Sequence, residues 1–248
     1  MKNLLEIKDV LNTYKSKDSG IKVLSRYHNW FPLKPSKKLS GIVGDLMGDG
    51  HLQGDPRWRI DYTSKSNEEL ERFNQEIFTI FGIKGKIRKC TTNNYNTKNL
   101  GINNSVLSRT FSMIGVPVGS KVLKDFKIPN WILKDRELFS RFMNRLFSCE
   151  GTVDTKNRYI ELQMHKSSEL INEGFEFFYT IKNYLWRYYK IRTIDPFLGG
   201  LSLRKDGIIT KGIKLKIRRH DSVKKFQKYI GFEDPIKKIK LQKIIESF

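Results

Sequence analysis

Two short segments of this chain each place an acidic residue directly before a glycine, at the end of a helix-like run. The first acid motif is Ile42–Gly50, IVGDLMGDG, and the second is Met143–Gly151, MNRLFSCEG. Asp49 and Glu150 stand at equivalent positions, and a Lys-Ser pair begins sixteen residues after each acid. A carboxylate at a helix C-terminus faces the negative end of the helix dipole, and a bound divalent cation would remove that penalty. The chemistry expected from the pair is therefore metal-assisted.

The elements predicted around the two acid motifs recur in the same order. Hydrophobic periodicity and turn residues predict helix, strand, strand, helix, strand, strand and helix in each half. We therefore predict an α+β protein that arose by internal duplication. The expected parts are an N-terminal extension over 1–35, a first subdomain over 36–116, a linker over 117–134, a second subdomain over 135–232 and a basic C-terminal helix over 233–248.

Local patterns predict the individual elements. Ser36 and Asp135 are expected to cap the two motif helices, and Asn67 to cap a helix that ends at Phe81. The other expected helices cover 105–114, 168–189, a segment from 221 or 222 to 230, and 235–248. The expected extended segments cover 57–63, 86–90, 98–102, 158–164, 190–194, 201–204 and 213–218.

Charge is the outlying property of the composition. Lys and Arg number 47 against 26 Asp and Glu, so the net charge of +21 requires a polyanionic partner to neutralise it. Nucleic acid is the first candidate and an anionic membrane surface the second, although no apolar run has the roughly 18 residues of a membrane span. The two cysteines form no disulfide framework, and the N-terminus lacks the apolar core of a signal peptide. An intracellular, reducing location is expected: the cytoplasm of a prokaryote or phage host, or an organelle matrix.

The glycines of the motifs indicate close packing. Gly44 and Gly48 lie four residues apart, on one helix face, where they let another helix backbone approach. Gly50 and Gly151 suit left-handed helix caps. The carbonyls of Gly48 and Cys149 are helix-end oxygens that could ligate a hard cation. A phosphate-binding glycine loop is the alternative for these glycines, but no Gly-Lys-Ser/Thr follows; exposed helix-end carboxylates are the alternative for the acids.

On these residues the chain resembles the LAGLIDADG homing endonucleases, over about residues 36–232. The resemblance implies two pseudo-symmetric αββαββα subdomains, with saddle-shaped antiparallel sheets, packed through the two motif helices. It also implies that Asp49 and Glu150 bind two or three Mg²⁺ ions, with Mn²⁺ as a substitute and Ca²⁺ as a non-productive one. Two residues depart from the family pattern: Arg145 replaces a glycine and Asp45 an apolar residue. We hypothesise an ion pair between them across the helix interface.

The resemblance places alternate strand residues over the DNA. Lys214, Lys216 and Arg218 form a basic stripe, with Ile213, Leu215 and Ile217 on the opposite strand face. Arginine can read guanine edges, while lysine mostly contacts phosphate. For most single basic residues a solvated surface charge is the simpler alternative. The candidate DNA contacts are Arg57, Arg59, Lys65, Lys86, Arg88, Arg158, His165, Lys166, Arg192, Arg204, Lys214 and Arg218.

The family also has a catalytic lysine on the strand before its last subdomain helix. Lys216 matches that position best in the second half, and Lys98 is the weaker match in the first. A water-ordering position falls on Ser64 and His165, neither of which is the usual residue. His165 could accept a proton or simply hydrogen-bond to the groove.

The function implied is that of a monomeric, site-specific homing endonuclease that hydrolyses both strands of a long, asymmetric double-stranded DNA target. The second hypothesis is an intron maturase that binds its host intron RNA, and the third is a DNA-binding regulator that does not cleave. An intein is disfavoured, because the chain starts at Met1 and lacks a terminal His-Asn. A zinc protein is disfavoured, because two Cys and four His show no ligand spacing.

Overall fold

The protein divides into two compact units, Met1–Gly119 and Ser120–Phe248. The structure, a computed structural model, describes residues 2–90 and 97–247. The division lies within the predicted linker, 117–134. Each unit has its own buried apolar core between a sheet and the helices that cover one of its faces.

The first unit contains the predicted order of elements after two N-terminal helices. The helices are α1 (Ile7–Leu11), α2 (Lys17–Leu24), α3 (Lys37–Met47), α4 (Asn67–Phe81) and α5 (Ser105–Met113), and the strands are β1 (Gly50–Gln53), β2 (Arg59–Ser64), β3 (Lys86–Lys89) and β4 (Lys98–Ile102).

The second unit repeats this order. Its helices are α6 (Asn130–Leu133), α7 (Arg136–Glu150), α8 (Ile171–Tyr189), α9 (His220–Tyr229) and α10 (Pro235–Glu246), and its strands are β5 (Gly151–Asp154), β6 (Tyr159–Ser167), β7 (Phe197–Leu203) and β8 (Ile209–Ile217). Residues 190–194, predicted as extended, form no strand, and β7 begins at Phe197. Phe248, predicted as the last helical residue, lies outside the described residues.

Side-chain caps fix where the motif helices begin. The Ser36 hydroxyl accepts the amide of Leu39 at 3.1 Å, and an Asp135 oxygen accepts the amides of Glu137 and Leu138. Both predicted caps are therefore confirmed. The helix α4 begins one residue later than its cap, which is Ser66 and not the predicted Asn67. It ends at Gly82, whose φ of 67° is readily available only to glycine.

Each sheet has four antiparallel strands, in the order β1-β2-β4-β3 in the first unit and β5-β6-β8-β7 in the second. The buried side chains of β2, Ile60 and Tyr62, face the helices, and Ile213, Leu215 and Ile217 do the same on β8. Alternate residues therefore lie on the other face of each sheet, which we call the open face. The predicted α+β class with two such sheets is confirmed.

The N-terminal extension packs on the first unit. Arg109 of α5 donates from Nη1 to the carbonyl of Thr13 at 2.6 Å. Its guanidinium carbon also lies 4.2 Å from the ring centres of both Tyr14 and Trp58. The amide of Asn104 donates to the Tyr27 hydroxyl at 3.1 Å. Residues 1–35 thus contribute to the core of this unit and are not a detached arm.

The two hairpins that follow the acid motifs differ by one residue. Gly50 pairs with Tyr62, twelve residues later, whereas Gly151 pairs with Leu162, eleven residues later. Two residues at the same distance in sequence from Asp49 and from Glu150 therefore do not occupy equivalent positions on β2 and β6. Because a shift of one residue turns a side chain to the other face, this offset decides which predicted residues reach the open face.

Candidate active site and nucleic-acid interface

Both motif acids lie where a motif helix gives way to the first strand of a sheet. Asp49 follows α3 by two residues and is exposed; Glu150 is the last residue of α7 and is half-buried. The carboxylates are thus reachable from solvent. Each lies one residue before the strand that begins the sheet, β1 or β5.

The glycines after the acids serve a different purpose from the predicted one. Gly151 is extended, with φ −87° and ψ 151°, and Gly50 pairs as the first residue of β1, so neither forms a left-handed cap. A Cβ at Gly50 would lie 2.6 Å from the Cα of Leu46, and a Cβ at Gly151 would lie 2.4 Å from the Phe147 carbonyl oxygen. The strand folds back too tightly onto the helix for any side chain.

The helix-end carbonyls of the second unit already face a cation. Lys237 of α10 places its Nζ 2.5 Å from the carbonyl oxygen of Ser148 and 3.4 Å from that of Cys149. A lysine at this position stabilises the negative end of the helix dipole. The role of the Cys149 carbonyl as a metal ligand stays a prediction, and it would place a metal ion beside this ammonium. Gly48 in the first unit is buried at the C-terminal end of α3.

The carboxylates themselves have the chemistry of a hard-cation site. Asp49 and Glu150 offer oxygen donors that reach solvent, which is what Mg²⁺ and Mn²⁺ prefer. Within residues 2–90 and 97–247, no group of three or more His, Cys, Asp and Glu side chains is arranged to hold a metal.

The two residues that depart from the family motif each have a charged partner in their own unit. Asp45 is completely buried, and its two oxygens accept from the guanidinium of Arg72 at 2.9 and 3.0 Å. Burial would lower the pKa of Arg72, but the charge of Asp45 outweighs it and the pKa is raised. Arg145 is also completely buried, with Nη1 3.4 Å from a Glu233 oxygen. The proposed Asp45–Arg145 pair stays a prediction.

Glu233 connects the C-terminal segment to the second motif helix. It accepts from Arg141 at 3.0 Å as well as facing Arg145, and its amide donates to the Ser148 hydroxyl at 2.6 Å. Burial would raise the pKa of Glu233, but the two arginines, Arg145 first, outweigh it and the pKa is lowered. A buried arginine in place of glycine is thus accommodated by an acid from outside the motif.

The open face of the second sheet centres on Glu161, a residue not singled out by the sequence. Its carboxylate is buried, and it pairs with Lys214 at 2.9 Å and Lys216 at 3.1 Å. Lys216 lies directly opposite Glu161 in the strand register, with its Nζ 4.2 Å from the centre of the Tyr159 ring. Burial alone would lower the pKa of Lys216, but the Glu161 carboxylate has the larger effect. The pKa is therefore raised, and the ammonium remains charged. Arg218 follows the end of β8 and is exposed.

Polar side chains continue along that face. Gln163 and His165 lie on it, with their side-chain nitrogens 2.9 Å apart. A Cβ at Gly212, opposite His165, would lie 2.8 Å from the amide nitrogen of Gln163, so the two side chains lie flat over a glycine. His165 therefore sits on the predicted surface with a hydrogen-bonding partner.

The open face of the first sheet centres on Asp61, which was also missed. The Asp61 carboxylate accepts from Arg59 through Nε at 2.8 Å and from Gln53 at 2.9 Å. Lys86 and Arg88 are exposed on β3, opposite Gly101 and Asn99. The clue to both buried acids was present in the sequence, because each stands between apolar neighbours on a basic strand.

Two predicted residues lie elsewhere than on the open faces. Lys166 is 3% exposed on the helix-facing side of β6, where Nζ donates to the carbonyls of Lys121 at 2.8 Å and Lys124 at 2.5 Å. Burial lowers the pKa of Lys166 to about 8. Lys98 is also on the helix-facing side, with Nζ 2.8 Å from the side-chain oxygen of Asn67. Neither the DNA contact of Lys166 nor the catalytic role of Lys98 fits these positions.

The remaining predicted contacts are in turns and connections. Arg57 and Arg158 precede β2 and β6 instead of belonging to them, so Arg57 and Arg59 do not share a strand face. Arg204, past the end of β7, pairs with Asp206 at 2.9 Å. Lys65 and Arg192 are exposed, in the connections that follow β2 and α8. In the part of the chain that is described, no helix is long and apolar enough to cross a membrane.

Comparison with known proteins gives weak matches in sequence. No protein-family model matches the chain. It is 27% identical over 216 residues to a glutamine–fructose-6-phosphate aminotransferase of Methanocaldococcus jannaschii, which covers 87% of the chain and 18% of that protein. It is 28% identical over 248 residues to the tRNA-splicing ligase RtcB of Pyrococcus abyssi, covering 92% of the chain and 26% of the ligase. The chain thus spans a quarter or less of the length of these relatives.

Solved structures match over more of their length. The homing endonuclease I-WcaI, bound to its DNA recognition sequence, superimposes with a TM-score of 0.52 at 16% identity, over 95% of this chain and 97% of that one. A variant of I-DmoI, in complex with its target DNA and in the presence of Mn, matches with a TM-score of 0.50 at 14% identity, over 81% and 96%.

A third match is full-length WhiA from Thermatoga maritima. It has a TM-score of 0.52 at 14% identity, over 87% of this chain and 63% of WhiA. The α+β architecture of this chain, with two four-stranded antiparallel sheets, matches the homing endonuclease structures. The chain therefore has the fold of the LAGLIDADG homing endonucleases.

Proposed function

We propose that this protein is a divalent-metal-dependent endonuclease that cleaves double-stranded DNA. The observation that supports this proposal is made in both units: an acid that solvent can reach lies at the end of a motif helix, and the open sheet face bears basic side chains. Asp49 and β1–β4 provide it in the first unit, and Glu150 and β5–β8 in the second. I-WcaI and I-DmoI, which share the fold, are bound to DNA in their structures.

The residues of the chain divide the work of phosphodiester hydrolysis. Asp49 and Glu150 would hold divalent cations, which when bound supply neutralisation of the phosphate and activation of water. Lys216, charged and fixed by Glu161, donates to a phosphate oxygen as negative charge develops on it. Lys86, Arg88 and Lys214 contact the DNA backbone and grooves. The two halves differ in sequence, so the preferred target is asymmetric.

The matches to archaeal proteins support a module with an activity of its own. An aminotransferase and an RNA ligase catalyse unrelated reactions, yet each contains a segment resembling most of this chain. The shared segment is therefore best explained by an activity that neither of those names describes. A DNA-directed activity matches the charge and the fold.

A second candidate is nucleic-acid binding without cleavage, including binding of a host intron RNA. The observation that favours it is Lys237, whose ammonium lies beside the carbonyls that precede Glu150. A fixed positive charge at that position opposes a cation bound to Glu150. The open faces would serve RNA or DNA equally well as an electrostatic surface.

Cleavage of genomic DNA from the organism that encodes the chain tests the proposal. Double-strand ends are mapped after incubation of the wild-type protein with Mg²⁺, Mn²⁺ or Ca²⁺. We expect ends at one or a few sites in Mg²⁺ and Mn²⁺ only, and their loss in Asp49→Asn and in Glu150→Gln. Glu71→Gln, which alters an exposed carboxylate on α4, is the matched control and should cleave normally.

Binding measurements separate the alternatives. If the wild-type protein makes no ends in any metal but retains sequence-selective DNA binding, the protein is a non-cleaving DNA-binding protein. If it binds transcribed intron RNA more tightly than duplex DNA of the same sequence and makes no ends, the maturase is supported. Cleavage that persists in both acid variants would contradict the assignment of the active site.

A further inference from the structure

The first sheet lacks a basic residue at the position that Lys216 occupies in the second. In the second sheet, Thr152, the second residue after Glu150, pairs with Glu161 on the next strand. Glu161 in turn pairs with Lys216 on the strand beyond it. The corresponding path in the first sheet runs from His51, the second residue after Asp49, to Asp61 and then to Gly101. Gly101 therefore stands in the place of Lys216, and its side-chain position is vacant.

Arg59 occupies that vacancy from the neighbouring strand. A Cβ built on Gly101 would lie 2.9 Å from Nη2 of Arg59 and 3.4 Å from its guanidinium carbon. The guanidinium thus lies directly over the glycine backbone. It reaches there because Arg59 is two residues before Asp61 on β2 and so projects from the same face.

A buried acid fixes the basic group in both sheets. Asp61 is 8% exposed and Glu161 is 6% exposed. Asp61 holds Arg59 through Nε, and Gln53 through its amide, whereas Glu161 holds Lys216 and Lys214. The side chain of Arg59 remains 34% exposed and that of Lys216 21%. Each cation is therefore bound to a buried acid and is still accessible to solvent.

The surroundings of Arg59 suit a phosphate. A recess of about 190 Å³ is lined by four basic side chains and no acidic one: Arg59, Lys84, Lys86 and Arg88, with Gly101 and Asn103. Arginine presents a planar set of donors that matches phosphate oxygens, and two of its nitrogens already bond to Asp61. The nitrogen that does not face Asp61 is the one available to a ligand.

We propose that Arg59, held over Gly101 by Asp61, is the phosphate-contacting residue of the first sheet and the counterpart of Lys216. Asp61 and Gly101 are positioning residues, the first because it orients the guanidinium and the second because it leaves room for it. Lys98 is not part of this site. The inference rests on the proposed endonuclease activity, since the phosphate is taken to belong to the DNA backbone.

Strand-resolved cleavage tests the assignment. The substrate is a duplex that contains one of the cleavage sites mapped in genomic DNA, with a different label on each strand. It is treated in Mg²⁺ with the wild-type protein, Arg59→Ala, Lys216→Ala and Lys98→Ala. We expect Arg59→Ala and Lys216→Ala each to slow the cutting of one strand about 100-fold and to accumulate DNA nicked in opposite strands. Lys98→Ala is the matched control and should cut both strands at the wild-type rate.

A rescue variant distinguishes a phosphate contact from a general loss of structure. Gly101→Lys should impair the protein on its own, because its Cβ meets Arg59, whereas Arg59→Ala with Gly101→Lys recreates the lysine of the second sheet. We expect the double variant to recover most of the lost strand cutting. Circular dichroism and thermal unfolding verify that each variant is folded.

The outcomes are distinct. Failure of the wild-type protein to cut any strand overturns both the proposed function and this inference. Wild-type cutting with a normal Arg59→Ala variant, or with a Lys98→Ala variant that loses one strand, overturns the inference alone. Recovery in the double variant supports it, and absence of recovery in a folded double variant overturns the equivalence with Lys216.

Discussion

Gly50 and Gly151, directly after the two acids, are required by the close approach of each motif helix to the strand that follows. Their missing Cβ atoms would lie 2.6 and 2.4 Å from backbone atoms of Leu46 and Phe147. Neither glycine has a positive φ, so backbone freedom is not the reason. The tight turn carries the acid to the edge of the sheet, and it admits no side chain.

Substitution of either glycine by alanine should therefore destabilise the protein by about 1–3 kcal/mol, the usual cost of overpacking. Chemical denaturation of Gly50→Ala and Gly151→Ala measures it. Gly200→Ala is the matched control: a Cβ there meets nothing within 4 Å, and its φ is not positive. Equal stability of all three variants would contradict the steric explanation.

Lys166 should make the stability of the protein depend on pH. Burial lowers its pKa from 10.5 to about 8 in the folded protein, so the unfolded chain binds the proton more tightly. Between these two pKa values the unfolded state holds more protons, and the free energy of unfolding must rise with pH. The penalty of burying the charge is fully present below about pH 8 and is removed above the unfolded pKa.

Comparison with Lys166→Met isolates this effect. We expect the stability of the wild type relative to the variant to increase by about 2 kcal/mol between about pH 7.5 and pH 10. Urea denaturation of both proteins across that range measures the difference, and the titration of other groups cancels. A difference independent of pH would mean that the pKa of Lys166 is not lowered.

Asp45 and Arg72 should be strongly coupled. Asp45 is completely buried and Arg72 mostly buried, and removing one member of such a pair leaves an uncompensated charge. A double-mutant cycle with Asp45→Asn and Arg72→Met is expected to give about 1–3 kcal/mol of coupling. The same cycle with Arg145→Met tests the predicted pair between the motif helices, which an absence of coupling would reject.

At the scale of elements, strand register decides which side chains can meet a ligand. The sixteen-residue spacing made Lys65 and Lys166 look equivalent, but the first hairpin is one residue longer than the second. Because side chains alternate, that residue places Lys166 on the helix-facing side, where it is buried. The same reasoning moves the counterpart of Lys216 from Lys98 to Gly101.

The helices were more predictable than the strand faces. The helix α4 ends at Phe81 as predicted, and its buried residues, Leu70, Phe73, Ile77 and Phe81, recur at the three- and four-residue spacing of one helix face. A helix carries its period within one segment, whereas a strand face depends on a partner elsewhere in the chain. The pairing of two strands across a short hairpin cannot be read from a single sequence.

The C-terminal segment should stabilise the second motif helix through Glu233, which precedes α10, and Lys237, in its first turn. Glu233→Gln removes the charge that faces Arg141 and the buried Arg145, and we expect a loss of about 1–3 kcal/mol, reduced by the partial exposure of Glu233. Asp206→Asn breaks an exposed pair with Arg204 and should change the stability much less. Thermal unfolding of both variants provides the comparison.

The pH dependence supplies a second check on Glu233. Its pKa is lowered in the folded state, so its stabilisation is present above the unfolded pKa and is lost as the pH falls through the folded pKa. The difference between wild type and Glu233→Gln should therefore shrink in acid. A constant difference would indicate lost hydrogen bonds, and not lost charge.

For the whole molecule, the net charge of +21 predicts that the proposed nucleic-acid binding depends strongly on salt. Lys86→Ala with Arg88→Ala removes two open-face cations, and the slope of log K against log salt should become shallower by about 1.8 if each contacts a phosphate. Fluorescence anisotropy on duplex DNA over a salt series measures the slope.

The control pair is Lys8→Ala with Lys22→Ala, on the exposed surface of the N-terminal helices. We expect its slope to equal that of the wild type. An equal loss in the two double variants would place the N-terminal helices on the DNA, and no change in either would remove the open face of β3 from the interface.

The sequence by itself determined the repeated order of elements, the caps of the two motif helices and the positions of the two acids at the ends of those helices, because these depend on residues close together in the chain. It also led to the proposal of a polyanionic partner, since net charge needs no coordinates. Tertiary structure alone decided that Asp61 and Glu161 fix the open-face cations, that Glu233 neutralises Arg145, and that Lys98 and Lys166 face the helices. Those facts depend on strand register and on contacts between distant segments, which a one-residue difference in a hairpin is enough to change.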